Sequence, residues 1–85
     1  MLTLRYFASL RESLDCEEER ISVAETDGIK TVSDLVRLLS QRGSPWDLLQ
    51  DTRQVLVAVN QTICPRSQPL HGNEEVAFFP PMTGG

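Results

Sequence analysis

The sequence predicts an α+β fold, in which a mixed sheet of four to five strands packs against one main helix and carries short helical insertions. The segment LTLRYFA at 2–8 alternates apolar and polar residues with the period of a strand, and TVSDLVRLLSQRG at 31–43 has the period of a helix. The chain has 85 residues, enough for one hydrophobic core but not for two. We therefore expect a domain over 1–79 and an extended tail over 80–85.

The N-terminal segment supplies the first strand and the turn after it. Its apolar residues are expected to face the core, whereas Phe7 falls on the polar face. In SLRESL, Ser9 stands three residues before Glu12, which is the spacing of a capping box and predicts a short helical turn. The acidic DCEEER that follows is expected to be a solvated edge, and Ile21 and Val23 mark a second short strand.

The main helix is expected in TVSDLVRLLSQRG. Thr31 and Asp34 can cap its start, Gly43 suits its end, and its apolar residues share one face that should lie across the sheet. In SPWDLLQ, Ser44 as N-cap and Pro45 at the first helical position predict a second short helix. The tryptophan of this segment is expected to fill the core or its rim.

The second half of the chain predicts two further strands. QVLVAVNQTI at 54–63 is a valine-rich apolar run, which is typical of a strand covered on much of its surface. Pro65, Pro69 and the His-Gly-Asn at 71–73 indicate two turns, after which EEVAFF at 74–79 forms the last strand. The order strand, strand, helix, strand, strand is most simply packed as one sheet with one helix on it.

Charge and motifs exclude several classes of function. The formal net charge of -4 would repel nucleic-acid phosphates and gains nothing at an anionic membrane surface. No apolar run has the length of a membrane span and no signal peptide is recognisable, so we expect a cytoplasmic protein. Cys16 and Cys64 are too isolated for a metal site or a disulfide framework, and His71 has no recognisable catalytic partners. The glutamates at 17–19 lack the ligand spacing of a calcium loop, so neither a metal site nor a self-sufficient active site is predicted.

The C-terminal FFPPMTGG is the segment in which we expect the function to lie. Pro80 and Pro81 have no backbone N–H, so they end strand pairing and hold the chain extended. Residues 80–85 span roughly 20 Å when extended, at about 3.3 Å per residue. Gly84 and Gly85 have no Cβ, which suits a narrow channel and leaves the terminal carbonyl open to attack. The sequence therefore predicts a carboxylate that is delivered into a pocket of another protein.

A docking surface is expected beside the tail, because ordering the tail costs on the order of 1 to 2 kcal/mol per residue and partner contacts must offset it. If the first and last strands are neighbours, Phe7 stands near Phe79 and the two rings form an exposed aromatic patch. The alternative is that one of these rings covers the edge of the domain's own core.

Three segments together carry a resemblance to a known family. EVAFFPPMTGG at 75–85, VNQT at 59–62 and RYFASLRE at 5–12 resemble the small subunits of molybdopterin synthase, the MoaD-type sulfur carriers of the ThiS/MoaD ubiquitin-like superfamily. The likeness covers both ends of the chain and the strand order between them. It implies a ubiquitin-like β-grasp fold and a protein that is no enzyme by itself, but the sulfur-donating subunit of a sulfurtransferase that also needs a large catalytic subunit.

The resemblance also implies a mechanism. An adenylating, E1-like activating enzyme would use ATP to convert the Gly85 carboxylate to an acyl adenylate, and a sulfur donor protein would convert the adenylate to a thiocarboxylate. The thiocarboxylate would then pass its sulfur to cyclic pyranopterin monophosphate on the large subunit, building the molybdopterin dithiolene. No cofactor bound by the domain itself is implied, and a heterotetramer of two small and two large subunits is suggested.

Residue roles follow from the same resemblance. Gly85 would carry the sulfur and Gly84 would give it clearance, while the acidic stretch at 17–19 receives no role. The positions that match the partner-binding residues of the family are Phe7, Ile63, Phe79, Pro80, Pro81, Met82 and Thr83.

Three alternatives remain open. A thiazole-synthesis sulfur carrier shares the fold and the diglycine, but such chains are shorter and lack the FFPP lead-in. A ubiquitin-like protein modifier would be attached to other proteins through Gly85, with Lys30 as the one lysine available for chains of itself. A plain interaction domain would carry the glycines only as a frayed end.

Overall fold

The computed structural model describes residues 1–22 and 28–81. In this part of the chain five strands form one sheet: β1 (Leu2–Tyr6), β2 (Glu18–Ile21), β3 (Leu56–Val59), β4 (Thr62–Ile63) and β5 (Glu75–Phe79). The helices are α1 (Ser9–Leu14), α2 (Val32–Ser40) and a 3-10 helix at Trp46–Gln50. The predicted order of strands and main helix is confirmed, with the third predicted strand divided into β3 and β4.

The sheet has the strand order β2-β1-β5-β3-β4. Its two central strands, β1 and β5, are parallel, and the other neighbours pair in antiparallel fashion. The first and last strands of the chain are therefore neighbours, as the sequence analysis required for an aromatic patch. A parallel pair cannot be joined by a tight turn, and here β2, the helices and the β3–β4 hairpin all lie between β1 and β5 along the chain.

One face of the sheet is covered by α2 and forms the core. The alternating residues of the central strands are fully or almost fully buried there, and α2 turns Val32, Leu35, Val36 and Leu39 onto them. The strand residues buried on this face are Leu2, Leu4, Tyr6, Ile21, Val57, Val59, Val76 and Phe78. Burial of this apolar area is the main source of stability of the domain.

The start of α2 is the predicted capping box. The Thr31 hydroxyl accepts the Asp34 N–H at 3.2 Å, and the Asp34 carboxylate accepts the Thr31 N–H at 3.1 Å. The same carboxylate also accepts the Lys30 N–H at 3.0 Å. The Thr31 and Asp34 N–H groups at the start of the helix are thus satisfied by local side chains, whereas those of Val32 and Ser33 donate to backbone carbonyls of the segment before β5.

Two other predicted caps are wrong. Helix α1 begins at Ser9 itself, and the N-cap position is taken by Ala8, which has φ 54° and no side chain able to cap. Pairing with β5 continues through Phe7, whose N–H donates to the Phe78 carbonyl, so the chain has only Ala8 in which to turn. The 3-10 helix has Pro45 rather than Ser44 at its N-cap, because the Trp46 N–H already closes a turn onto the Gly43 carbonyl.

The bounds of two predicted strands also differ. The second strand is β2 at Glu18–Ile21, so the acidic stretch itself pairs with β1, while Val23 lies outside the described residues. The run QVLVAVNQTI is not one strand but a hairpin, because Asn60 and Gln61 adopt φ values of 50° and 70° and reverse the chain between β3 and β4.

The acidic stretch contributes to a polar cluster at the rim of the core. The Glu19 carboxylate accepts the Tyr6 hydroxyl at 2.8 Å and both Arg42 amino groups at 2.8 and 3.1 Å. The Arg42 guanidinium lies 4.4 Å from the centre of the Trp46 ring, which meets the Tyr6 ring edge-to-face at 5.5 Å. Burial raises the pKa of Glu19, but the hydrogen bonds from Arg42 and Tyr6 outweigh it and hold that pKa below its usual value. Trp46 therefore fills the rim, as predicted, and Glu19 has a structural role that the sequence did not reveal.

Candidate functional site

The face of the sheet opposite α2 carries an apolar cluster that is not covered by any other described element. We define the open-face patch as the residues Phe7, Leu56, Ile63, Ala77 and Phe79. Phe7 has 41% of its surface exposed and Ile63 has 65%, while the other three are partly buried by their neighbours in the sheet. Exposed apolar side chains that form one contiguous patch, unlike single ones, indicate a candidate protein-interaction site.

The strand register assembles this patch. Leu56 pairs with Phe79, and Ala58 pairs with both Ala77 and Ile63, so the side chains of these residues share one face. Phe7 follows directly after the Tyr6–Phe78 pair, and its N–H donates to the Phe78 carbonyl at 3.1 Å. The patch therefore extends from Phe7 beside the centre of the sheet to Ile63 on the edge strand.

The three aromatic and aliphatic residues that the sequence analysis proposed for partner binding lie on the same face. Phe7 and Phe79 are on neighbouring segments, and Ile63 reaches this face because the Asn60–Gln61 turn fixes the register of β4 on β3. The core cluster is formed without Phe7 or Phe79, so neither ring takes the alternative role of covering the core edge.

The tail leaves the sheet at this patch. Strand β5 ends at Phe79, and Pro80 and Pro81 follow without regular structure and partly buried. They line an open groove together with Leu10 and Ser13 of α1 and Leu48 of the 3-10 helix. The predicted site residues Met82, Thr83, Gly84 and Gly85 lie outside the described residues.

Two residues of the open-face patch were not predicted from the sequence. Leu56 and Ala77 were counted only as members of apolar strands, because an apolar run gives no indication of which face each residue takes. The signal was present in the alternation of QVLVAV, in which Leu56 lies between two core residues, Val55 and Val57.

The other candidate residues are unsuited to chemistry. Cys16 and Cys64 are free and partly buried, and burial is the main cause that raises the pKa of both thiols. Raised pKa values keep the thiols protonated near neutral pH, which makes them poor nucleophiles. His71 is exposed in its predicted turn, and its backbone N–H donates to the Glu74 carboxylate at 2.8 Å.

Residues 1–22 and 28–81 contain no group of three or more His, Cys, Asp or Glu side chains that could hold a metal ion. Within the same ranges, no helix has both the length and the apolar character needed to cross a membrane.

Comparisons with known proteins identify the family and the fold of the chain. The profile of the ThiS family matches residues 4–85. The molybdopterin synthase sulfur carrier subunits of Haemophilus influenzae and Escherichia coli are 34% and 33% identical over 85 residues, and each alignment covers 100% of both chains. SAMP1 from Haloferax volcanii superposes with a TM-score of 0.72 at 24% identity, covering 99% of this chain and 98% of that chain. Together with the strand order, that superposition confirms the predicted ubiquitin-like β-grasp fold.

Proposed function

The chain belongs to the ThiS family, and from this membership we propose that it is the sulfur-carrier subunit of a molybdopterin synthase. It is not catalytic by itself and acts with a large subunit. We place it in the cytoplasm, which supplies the ATP that the activating enzyme requires.

One structural observation supports the proposal above the others. The last strand ends inside the open-face patch, so Phe79 belongs to the docking surface and Pro80 to the tail. A partner that covers the patch thereby fixes the point from which the tail starts. The length of the tail then decides how far the terminal group reaches into the partner, which is the geometry that a tethered reactant requires.

The first chemical stage activates the Gly85 carboxylate. An oxygen of the carboxylate attacks the α-phosphorus of ATP, pyrophosphate leaves, and an acyl adenylate forms on the activating enzyme. A sulfur at the oxidation level of sulfide, supplied by a donor protein, attacks the acyl carbon and AMP leaves. The net change in the carrier is one oxygen replaced by one sulfur, and Gly84 and Gly85 leave the acyl carbon accessible because they have no Cβ.

The second stage transfers the sulfur. The thiocarboxylate sulfur attacks an oxygen-bearing carbon of cyclic pyranopterin monophosphate in the active site of the large subunit. The new carbon–sulfur bond replaces the bond from that carbon to its oxygen, which leaves as water or on its phosphate, and a thioester to the carrier results. Water hydrolyses the thioester at the acyl carbon, which leaves the sulfur on the pterin and restores the Gly85 carboxylate. Two such transfers supply the two sulfurs of the dithiolene.

The decisive experiment is the intact mass of the chain after incubation with ATP, a cognate activating enzyme and a sulfur donor. We expect a gain that matches one oxygen replaced by one sulfur. A chain that lacks Gly84 and Gly85 should show no gain. Replacement of Gly85 by a bulkier residue should leave folding intact while abolishing sulfur transfer, because the position lies beyond the last strand.

A double variant, Cys16→Ser with Cys64→Ser, separates this chemistry from persulfide formation on a thiol. A persulfide adds a whole sulfur without loss of oxygen and needs a cysteine, whereas a thiocarboxylate forms equally in the double variant. A mass gain that disappears with the cysteines would contradict the proposal. Attachment of the chain to lysines of other proteins, without sulfur transfer to the pterin, would favour the protein modifier instead.

A further inference from the structure

Arg5 lies next to the open-face patch, between the Phe7 ring and two carboxylates, and the sulfur-carrier role does not by itself explain these contacts. We propose that Arg5 is a positioning residue, which holds the Phe7 ring in the orientation that the large subunit binds. The inference rests on the proposed function, since it names the same partner. It adds a residue to which neither the resemblance nor the comparisons give a role.

The backbone of Phe7 is already fixed on both sides. Its N–H donates to the Phe78 carbonyl at 3.1 Å, and its carbonyl accepts the Leu10 N–H at 3.1 Å. The remaining freedom of the residue lies in the rotation of its side chain, which is exposed. A contact that selects one rotamer therefore determines where the ring stands.

Arg5 makes that contact. It lies two residues earlier on β1 and on the same face of the sheet, and its guanidinium carbon is 5.4 Å from the centre of the Phe7 ring. Arg5 also faces Ala77 in the register of β1 and β5, and this small neighbour leaves space for a long side chain above the sheet. The distance is within the range of a cation–π interaction.

Two carboxylates hold the guanidinium in place. Its Nε lies 3.6 Å from Glu18 Oε1 on β2, and its Nη1 lies 3.8 Å from Glu75 Oε2 on β5. Both distances are beyond the range of a hydrogen bond, and the Nε atom is covered yet has no hydrogen-bond partner among the described residues. The position of Arg5 is therefore set by the charges of the two carboxylates and by the Phe7 ring, and not by directional hydrogen bonds.

This arrangement has a consequence for binding. A free aromatic side chain loses rotational freedom when a partner immobilises it, and that loss reduces affinity. Arg5 restricts the ring before the partner arrives, so part of the loss has already occurred in the folded chain. Arg5 should then strengthen binding through Phe7, and its contribution should vanish when the ring is absent.

A double-mutant cycle tests this coupling, with the dissociation constant for the cognate large subunit measured by calorimetry. We expect Arg5→Met to weaken binding about two- to fivefold in the natural sequence. In the Phe7→Ala background the same change should alter binding less than about 1.5-fold. The dissociation constant of the Arg5→Lys variant should lie between those of the natural sequence and of Arg5→Met, because lysine keeps the charge but lacks the planar group.

Arg20→Met is the matched control. Arg20 is exposed on the same face, opposite Thr3, and its removal changes the net charge equally without touching the Phe7 contact. An equal weakening by Arg20→Met and Arg5→Met would overturn the inference and assign the effect to general charge attraction. Equal effects of Arg5→Met with and without Phe7 would overturn it as well.

A second readout needs no partner. Protons of the Arg5 side chain that lie over the ring should be shifted upfield in the NMR spectrum, and Phe7→Leu should abolish that shift. Its absence in the natural sequence would contradict the proposed contact. A chain that forms no thiocarboxylate and does not bind the large subunit would overturn the proposed function, whereas additive effects in a chain that does both would overturn only the role of Arg5.

Discussion

The two faces of the sheet are built from the same strands but use their apolar residues for different purposes. On the face under α2, Leu4 and Phe78 have no exposed surface, whereas on the open face Phe7 and Ile63 keep 41% and 65% of theirs. Burial in the folded chain stabilises the domain, and area left exposed remains available for a partner. Substitutions on the first face should change the free energy of unfolding, and those on the second should change affinity.

The largest effect is expected for Phe78→Ala on the helix-covered face. Phe78 is fully buried and stacks on Tyr6 with 5.6 Å between ring centres, so the variant loses apolar burial and leaves a cavity. We expect the free energy of unfolding to fall by about 3 to 5 kcal/mol in urea denaturation. Ala77 is the adjacent residue on the open face, and Ala77→Ser is the control. If Phe78→Ala lowered the free energy of unfolding by less than about 1 kcal/mol, the proposed difference between the two faces of the sheet would be wrong.

Next in size are the effects of Phe7→Ala and Ile63→Ala on the open face. If these side chains anchor the large subunit, each should weaken binding by on the order of 1 to 3 kcal/mol. The free energy of unfolding should change by less than about 1 kcal/mol, because both residues lie outside the core. Calorimetric titration and urea denaturation of the same samples separate the two quantities. Unchanged affinity together with lost stability would assign these two side chains to the core.

A smaller change is expected at the start of α2, which fixes the helix over the covered face. Thr31→Ala removes the hydroxyl that accepts the Asp34 N–H and should lower the free energy of unfolding by about 1 kcal/mol. Ser33→Ala changes an exposed serine of the same helix that is not the cap, and it should have little effect. Equal losses in the two variants would show that the cap is not the cause.

The smallest expected effect is a change in the slope of stability with pH. Burial raises the pKa of Glu74, but backbone N–H donors of His71, Gly72 and Asn73 at 2.8 to 3.0 Å outweigh it and hold that pKa below its usual value. The unfolded chain therefore binds the proton more readily. The contribution of Glu74 is complete above the unfolded pKa of about 4.3 and is lost as the pH falls through the lower folded value.

Glu74→Gln should flatten the decline in unfolding free energy between about pH 5 and pH 3, because the substituted side chain does not titrate. Glu17→Gln removes a well exposed carboxylate and serves as the control. Denaturation at several pH values measures both slopes. A slope that Glu74→Gln leaves as steep as before would show that other carboxylates cause the acid sensitivity.

Local patterns predicted much of this fold. The alternation at 2–8, the box formed by Thr31 and Asp34, and the break at Pro80 are properties of neighbouring residues, and the structure has β1, α2 and the end of β5 where they indicate. The capping residue of α1 could not be predicted in the same way. Ala8 occupies that position because Phe7 still pairs with β5, and this pairing is made with a segment some seventy residues away along the chain.

The patch was predicted only in part for a similar reason. The idea that Phe7 stands near Phe79 needed β1 and β5 to be neighbours, and the sheet order confirms it. The hairpin at Asn60 and Gln61 was missed, because glutamine is not a residue that normally indicates a left-handed turn. Leu56 and Ala77 depend on register, which is set by pairing between distant strands and not by local propensity.

The parallel pairing of β1 with β5 also determines which end of the chain is suited to attachment on a surface. Both strands run in one direction, so Met1 and Pro80 leave the sheet at opposite ends, separated by roughly 16 Å for the five residues of β1 at about 3.3 Å each. The Met1 ammonium is held there by the Gly72 carbonyl at 2.7 Å. In a chain immobilised on a sensor surface through its N-terminus, the end of β5, from which the tail starts at Pro80, would therefore lie on the side away from the support and remain accessible to enzymes in solution.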